Sequence, residues 1–242
     1  MRRIITFIKK ILYPPNPNNR FVNIGGGKWY FPRWENVDFY APKVYVDYRL
    51  DLRTKRKLNI KSNTASIVYS SHFFEHISDS DCKFILKESY RILKKNGTIR
   101  ISVPDMDLAF NAYFNDNLDF FQKEGVSCHG DNIEEHLINF FASYATSNYR
   151  GGPKAPQKEI QNKLNSLNKY DFCKWCVSLI PDNAPYKAHV NAYDFNKLQK
   201  YLKDTGFINI IKSDYQKSNI AVLRNKAFDN RPKASLFIEA QK

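Results

Sequence analysis

At 242 residues, 43% apolar and 15% aromatic, the chain can close a sizeable core, which excludes wholesale disorder. It has room for one α/β domain with an insertion or for two small domains. The net charge of +14 is uneven, since residues 1–61 hold 14 Lys/Arg against 4 Asp/Glu. That surplus either attracts nucleic acid, anionic lipid or a phosphorylated small molecule, or merely reflects a Lys/Asn/Ile-rich composition.

The first segment, MRRIITFIKKILYPP, places Ile4, Ile5, Ile8, Ile11 and Leu12 on one helical face. Lys9 and Lys10 interrupt it, it is too short to span a bilayer, and no small-residue cleavage site follows. The expectation is a helix packed on the domain's own sheet, with peripheral membrane contact through residues 1–12 as the alternative and a cytoplasmic location. Pro14, Pro15 and Pro17 end it. Strand-forming residues 21–24 then run into Gly25, Gly26 and Gly27, which can take positive φ and let a ligand approach bare backbone. A strand ending in glycines is how open α/β sheets build a nucleotide crevice, although a glycine run is also an ordinary tight turn.

Strand character returns at WENVD (34–38), at KVYVDYRLDL (43–52) and at TASIVYSS (64–71), which leads into HFFEHI. From Asp79 to Leu93 the period is helical, with Asp79 or Ser80 as N-cap, Lys94 and Lys95 in the last turn and Gly97 as the stop. TIRISV (98–103) is the next strand, closed by Pro104-Asp105. Alternating strands and connections argue for a parallel sheet with helices on its faces. Residues 106–188 are aromatic-rich, mostly helical and broken at Gly151-Gly152-Pro153, and read as a lid or substrate platform, or as a plain helical subdomain. Asp194 to Thr205 forms a helix stopped by Gly206, and residues 207–215 and 234–241 are strands.

Cys82, Cys128, Cys173 and Cys176 are too few and scattered for a secreted disulfide framework. Cys173-x-x-Cys176 lies in a helical pattern with no further ligands at zinc spacing, so core cysteines and no metal are expected.

Five features in order carry a family resemblance: NIGGG, WENVD, Asp51-Leu52, SIVYSSHFFEH (66–76) and LKESYRILKKNGTIRISVPD (86–105). Together they resemble the class I S-adenosylmethionine-dependent methyltransferases, in the compact bacterial type 11 branch. The resemblance covers residues 21–105 and, more loosely, 186–242. It implies a Rossmann-like, seven-stranded, mostly parallel sheet with helices on both faces and a helical insertion after the fifth strand. Residues 1–20 would be an N-terminal basic helix and linker, 21–105 and 189–242 the cofactor domain, and 106–188 the insertion.

The implied cofactor is S-adenosyl-L-methionine. Gly25, Gly26 and Gly27 would pass under its methionine and ribose, and Asp38 would accept both ribose hydroxyls. Asp51 would take the adenine amino group, Leu52 N–H a ring nitrogen, and Ser70, Ser71 and His72 would lie near the methyl. His72 and His189 are the candidate bases, Glu75 and His76 are expected to cap or pin the following helix, and His129 and His136 are candidate substrate contacts. This chain departs from the pattern at Asn23, where the family often has an acid, and at Trp29, where it has a glycine. Gly27 and Asp38 are only 11 positions apart, so the helix between them must be short or lost.

The resemblance implies methyl transfer to a small molecule or sugar, in pathways such as surface polysaccharide biosynthesis. Arg33, Lys43, Arg49, Arg53, Lys55, Arg56 and Lys57 favour a phosphorylated or nucleotide-linked acceptor. O-methylation is favoured over N-methylation, because no Asn/Asp-Pro-Pro-aromatic motif follows the fourth strand. The alternatives are an RNA-directed methyltransferase and a non-catalytic partner subunit of the same fold.

Overall fold

The computed structural model describes residues 2–39, 45–123, 128, 130–143, 145, 155–182 and 188–242. Lys43, His129 and Gly151-Gly152-Pro153 lie outside these residues. In chain order the elements are α1 (Arg2–Leu12), β1 (Arg20–Ile24), β2 (Trp34–Asp38), β3 (Tyr48–Arg49), β4 (Ala65–Ser71), α2 (Asp79–Ile92) and β5 (Leu93–Pro104). There follow α3 (Met106–Phe114), α4 (Leu118–Gln122), α5 (Ile133–Phe141), α6 (Gln157–Ser166), α7 (Lys169–Ser178), α8 (Phe195–Thr205), β6 (Ile208–Ser213) and β7 (Ser235–Gln241).

The seven strands form one sheet in the order β3-β2-β1-β4-β5-β7-β6. The first five pair in parallel, and β7 runs antiparallel to both β5 and β6. This is the Rossmann-like, mostly parallel sheet that the sequence predicted. Strand period two sends Val22, Ile24, Val68, Ile99, Ile101, Leu236 and Ile238 to one face, where Ile85 and Leu86 of α2 and Leu198 and Leu202 of α8 cover them. The opposite face carries Phe21, Trp34, Ile67 and Tyr69, closed over by Trp29, Phe31, Leu223 and Phe228.

That second layer explains how β1 and β2 are joined without a helix. Parallel neighbours ordinarily need a crossover of a dozen or more residues. Here residues 25–33 make the return, and aromatic rings do the covering. Trp29 packs against Trp34 and Phe228 with ring centroids 5.6 and 5.3 Å apart, and its indole N–H donates to the Ala227 carbonyl at 2.6 Å.

Beside this layer Arg100 of β5 is fully buried. Its Nε donates to Asp229 Oδ1 at 2.9 Å and its Nη1 to Glu239 Oε1 at 2.8 Å and Ser213 Oγ at 3.0 Å. Its Nη2 donates to the Asp214 carbonyl at 2.9 Å and to Asp229 Oδ2. All five guanidinium N–H groups are thus used.

The helices α3 to α7 have their own core, built from Met106, Phe121, Leu137, Phe141, Ile160 and Phe172. They leave the sheet at Asp105, which N-caps α3 and forms a parallel bridge with Tyr193. All four cysteines are free and buried, with Cys173 and Cys176 facing this helical core.

Four local expectations need correction. The apolar face of α1 points to solvent, and Thr6 and Lys10 are what it buries. Lys10 Nζ donates to the Trp34 carbonyl at 2.6 Å and pairs with Asp47, while Thr6 Oγ1 accepts the Tyr45 N–H at 2.9 Å. Helix α2 is capped by Ser78, whose hydroxyl accepts the Asp81 N–H, and it passes directly into β5 at Leu93. Lys94, Lys95 and Gly97 therefore belong to the strand, not to a helix terminus. Of the described residues in 43–52, only the Tyr48–Arg49 pair joins the sheet, and Asp51 instead caps a short 3-10 turn over Leu52–Thr54.

Arg100→Ala would leave Asp229 and Glu239 buried with no counter-charge. It is expected to cost about 3–5 kcal/mol in urea unfolding, with Arg100→Lys losing less because the charge survives but the planar fork does not. A loss below about 1 kcal/mol for Arg100→Ala would show that the pairing carries no weight.

Candidate functional site

The glycines turn at the carboxyl end of β1. Gly25 has φ +71° and Gly27 φ +54°, so the turn uses the left-handed region that glycine enters without strain. At Gly25 space also decides, because a Cβ there would meet Phe73 Cγ, Cδ2 and Cβ at 2.2, 2.3 and 2.5 Å. At Gly27 a Cβ would meet nothing within 4 Å, so this bare backbone faces open space. A Cβ at Gly26 would crowd Asn23 and Asn36, whose side chains bond each other at 3.1 Å beneath the turn. Asn23 thus serves as a buried brace of the turn. Asp38, at the end of β2, accepts the Gly27 N–H at 2.7 Å and joins the two ends of the helix-less connection.

Around the turn lies an open-mouthed cleft of about 240 Å³. Gly25, Gly27, Asp38, Asp51 and Leu52 line one side, and His72, Phe73 and His76 the other. Open space at Gly27, with the Asp38 and Asp51 carboxylates beside it, fits a ligand carrying hydroxyl and amino donors. A further turn residue, Arg53, also lines the cleft and grips Asp51 through Nε at 2.9 Å and Nη2 at 2.7 Å. Those bonds hold the Asp51 carboxyl below its usual range.

Ser70 and Ser71 do not line the cleft. Ser70 Oγ donates to the Ile24 carbonyl at 3.0 Å, tying β4 to β1, and Ser71 Oγ donates to Asn230 Oδ1 at 2.9 Å. The strand end instead presents His72, in the left-handed region at φ 49°. Its Nδ1 lies 3.2 Å from Glu75 Oε1 and its Nε2 2.8 Å from Ser235 Oγ, so both ring nitrogens are engaged.

Glu75 is buried at the centre of three imidazoles. Its Oε1 lies 3.9 Å from His76 Nε2, and the His76 and His189 rings meet edge-on at 5.0 Å between centroids. His76 Nδ1 lies 3.1 Å from the Ala188 carbonyl and His189 Nδ1 2.9 Å from the Phe140 carbonyl. A carbonyl only accepts, so both rings carry their proton on Nδ1 and turn Nε2 inward. Burial opposes ionisation of Glu75, but the hydrogen bond from His72 and the imidazoles around it outweigh it and hold the carboxyl at about 2. Burial lowers His189 to about 4 despite the pull of Glu75.

Glu75, His76 and His189 are the described residues that could share a metal ion, their ligand atoms lying within 4.8 Å of one another. With metal–ligand bonds near ~2.1 Å, a tetrahedral ion needs ligand pairs about 3.4 Å apart, closer than the 3.9 Å from Glu75 to His76. Glu75 is instead hydrogen-bonded to His72, and the His76 and His189 rings meet each other edge-on.

His76 lines the cleft with Glu75 buried behind it, and neither caps α2, whose N-cap is Ser78. The Glu75 carbonyl accepts the Val190 and Asn191 N–H groups at 2.8 and 3.2 Å, which pins the segment carrying His189. His189 does not line the cleft, and His136 is buried beside Phe121 in the helical core. His76 was visible in the sequence as the last residue of SSHFFEH, but nothing local to it shows that Ala188 fixes its tautomer.

Two outcomes test this geometry. Gly25→Ala should cost about 2–4 kcal/mol in urea unfolding and Gly27→Ala about 1 kcal/mol, since only the former meets Phe73; equal losses would refute that contact. Because His189 is held neutral when folded, the unfolded chain takes up a proton first as pH falls through about 6.5. Its stabilisation is fully present above that pH and is lost on the way down to about 4. His189→Asn should flatten Tm against pH across that window, the native chain losing about 3 kcal/mol or several degrees. Parallel Tm curves would contradict the assignment.

Residues 41–101 match the family model described as Methyltransferase domain. No curated protein sequence matches the chain significantly. Among solved structures, a SAM-dependent methyltransferase from Archaeoglobus fulgidus aligns over all of this chain and 95% of its own length, at 13% identity and a TM-score of 0.46. Haemonchus contortus phosphoethanolamine N-methyltransferase 2, bound to phosphomonomethylethanolamine and S-adenosylhomocysteine, aligns over 99% of this chain, at 12% identity and a TM-score of 0.45. This chain spans about half of that enzyme, covering 52% of it. The glycine turn that closes β1 and the carboxylate that ends β2 stand just ahead of the segment that matches the methyltransferase-domain model, which runs from there into β5.

Proposed function

We propose that the protein transfers a methyl group from S-adenosylmethionine to a hydroxyl of a small anionic acceptor, such as a phosphorylated or nucleotide-linked sugar, in a pathway such as surface polysaccharide assembly. The observation that carries this reading is the pairing, across one cleft, of a bare glycine turn with His76 over a buried ionised carboxylate. When bound, the cofactor supplies an already activated methyl on a sulfonium, so the protein's task is alignment and proton removal.

Each residue's part follows from its surroundings. Gly25 and Gly27 admit the cofactor against the backbone, and Asp38 receives the ribose diol while holding the turn closed through Gly27 N–H. Asp51 and the Leu52 backbone receive the adenine edge, with Arg53 fixing the Asp51 carboxylate. His76 is the base: its Nδ1–H is anchored on Ala188, and its Nε2 lone pair stands beside the cleft and Glu75. Glu75 stabilises the imidazolium that forms, His72 orients Glu75, and His189 backs the pair from the helical side. The exposed Arg53, Lys55, Arg56 and Lys57, following Asp51 at the rim, support an anionic acceptor by steering it to the cleft.

Calorimetry and turnover separate these roles. Asp38→Ala should weaken S-adenosylmethionine binding about tenfold or more, while His76→Gln should preserve binding and lower kcat by about 10²-fold or more. Turnover is read on the acceptor identified by a screen of phosphorylated and nucleotide-linked sugars, as product heavier by one methyl. No cofactor affinity in the native chain would sink the proposal, and full activity in His76→Gln would remove His76 as the base.

A further inference from the structure

The helix α1 buries its polar side and shows its apolar side to solvent. On a 3.6-residue turn, Ile4, Ile5, Phe7, Ile8, Ile11 and Leu12 occupy one continuous arc, and Arg2, Arg3, Thr6, Lys9 and Lys10 the remainder. Relative exposures run from 45% at Ile5 to 65% at Leu12, against 5% at Thr6 and 9% at Lys10. Of the thirteen described large hydrophobic residues that are exposed, seven lie between Ile4 and Tyr13, so this is a patch and not scatter.

The helix is held in this orientation. Lys10 is bonded to the Trp34 carbonyl and paired with Asp47, which also accepts the Asn36 N–H at 2.8 Å. Thr6 accepts from Tyr45, and Arg2 donates to the Lys28 carbonyl at 3.4 Å. Rolling α1 to bury its isoleucines would break the Lys10–Asp47 pair and leave Asp47 beneath the helix without its ammonium.

Charge decides what covers the face. Residues 1–34 contain seven Lys/Arg and no Asp or Glu. Arg2, Arg3 and Lys9 sit exposed along the margins of the apolar arc, and Lys28 is exposed beside Arg2. Apolar side chains flanked by cations on a helix about 16 Å long match an anionic lipid surface, with side chains among the acyl chains and cations at the headgroups. No described helix is long and apolar enough to cross a membrane, so α1 would lie in the interface plane.

We propose that α1 docks the protein on an anionic bilayer surface through Ile4, Phe7, Ile8 and Ile11. The proposal stands independently of what the cleft methylates.

The test is cosedimentation of the full chain with phosphatidylcholine vesicles, with and without phosphatidylglycerol, alongside light scattering of the lipid-free protein. The native chain should pellet with the phosphatidylglycerol vesicles, and less so as salt rises. The double variant Ile8→Glu/Ile11→Glu should bind at least about tenfold more weakly while keeping its thermal melt, because both side chains point to solvent. Arg3→Glu should weaken binding with the apolar face intact. Failure of the native chain to pellet overturns the proposal, as does equal pelleting of the double variant or equal binding to phosphatidylcholine alone. A dimer that the double variant dissolves, with no vesicle binding, would assign the face to a second copy and equally overturn it. Calorimetric affinity for S-adenosylmethionine in the same samples keeps this outcome separate from that of the cleft.

Discussion

A single guanidinium organises the aromatic side of the sheet. Arg100 spends every N–H on Asp229, Glu239, Ser213 and the Asp214 carbonyl, joining β5 to β6, β7 and the connection between them. Three buried charges are tolerable in one place only because each is paired and hydrogen-bonded. The consequence reaches the glycine turn. Asp229, whose N–H also donates to the Tyr69 hydroxyl at 2.7 Å, sets Phe228 among Trp29, Trp34 and Tyr69. Those rings close the face over which residues 25–33 return from β1 to β2. The turn that faces the cleft therefore rests, through those rings, on an ion-pair cluster on the same face of the sheet.

Much of this was legible because it is local. The strand-to-glycine run, the carboxylate ending WENVD and the capped helix from Asp194 to Gly206 each carry their determinants within a dozen residues. Gly27 and Asp38 lie close enough in sequence for the loss of a helix to be deduced, and Trp29 was visible as the departure from pattern. Its role was not, since Phe228 and Ala227 come from two hundred residues away.

The failures share one physical cause. Periodicity tells which side chains share a face and is silent about which face turns inward. For α1 the decision was made by Asp47 and Tyr45, two polar partners outside the helix. The same blindness misplaced Lys94 and Lys95: the pattern of a helix end is there, but β4 pairs with Leu93 at Ala65 and draws the chain into the sheet at once. Ser70 and Ser71 sit at the correct strand end, yet neighbouring strands and Asn230 claim their hydroxyls.

Around Glu75, function and architecture use the same atoms. Its carbonyl holds Val190 and Asn191, its carboxylate meets His72, and His189 beside it is tied to Phe140 and Ser143 of the helical layer. A carboxylate buried this deeply stays ionised only while imidazoles supply protons toward it. Because His76 and His189 both commit Nδ1–H to carbonyls, any proton gained by either ring must enter on Nε2, which in His76 faces Glu75. In the proposed reaction, the charge that would develop on His76 during proton removal is met by a group already fixed in place. The helical layer, which supplies Phe140 and Ser143, is what keeps that geometry from relaxing.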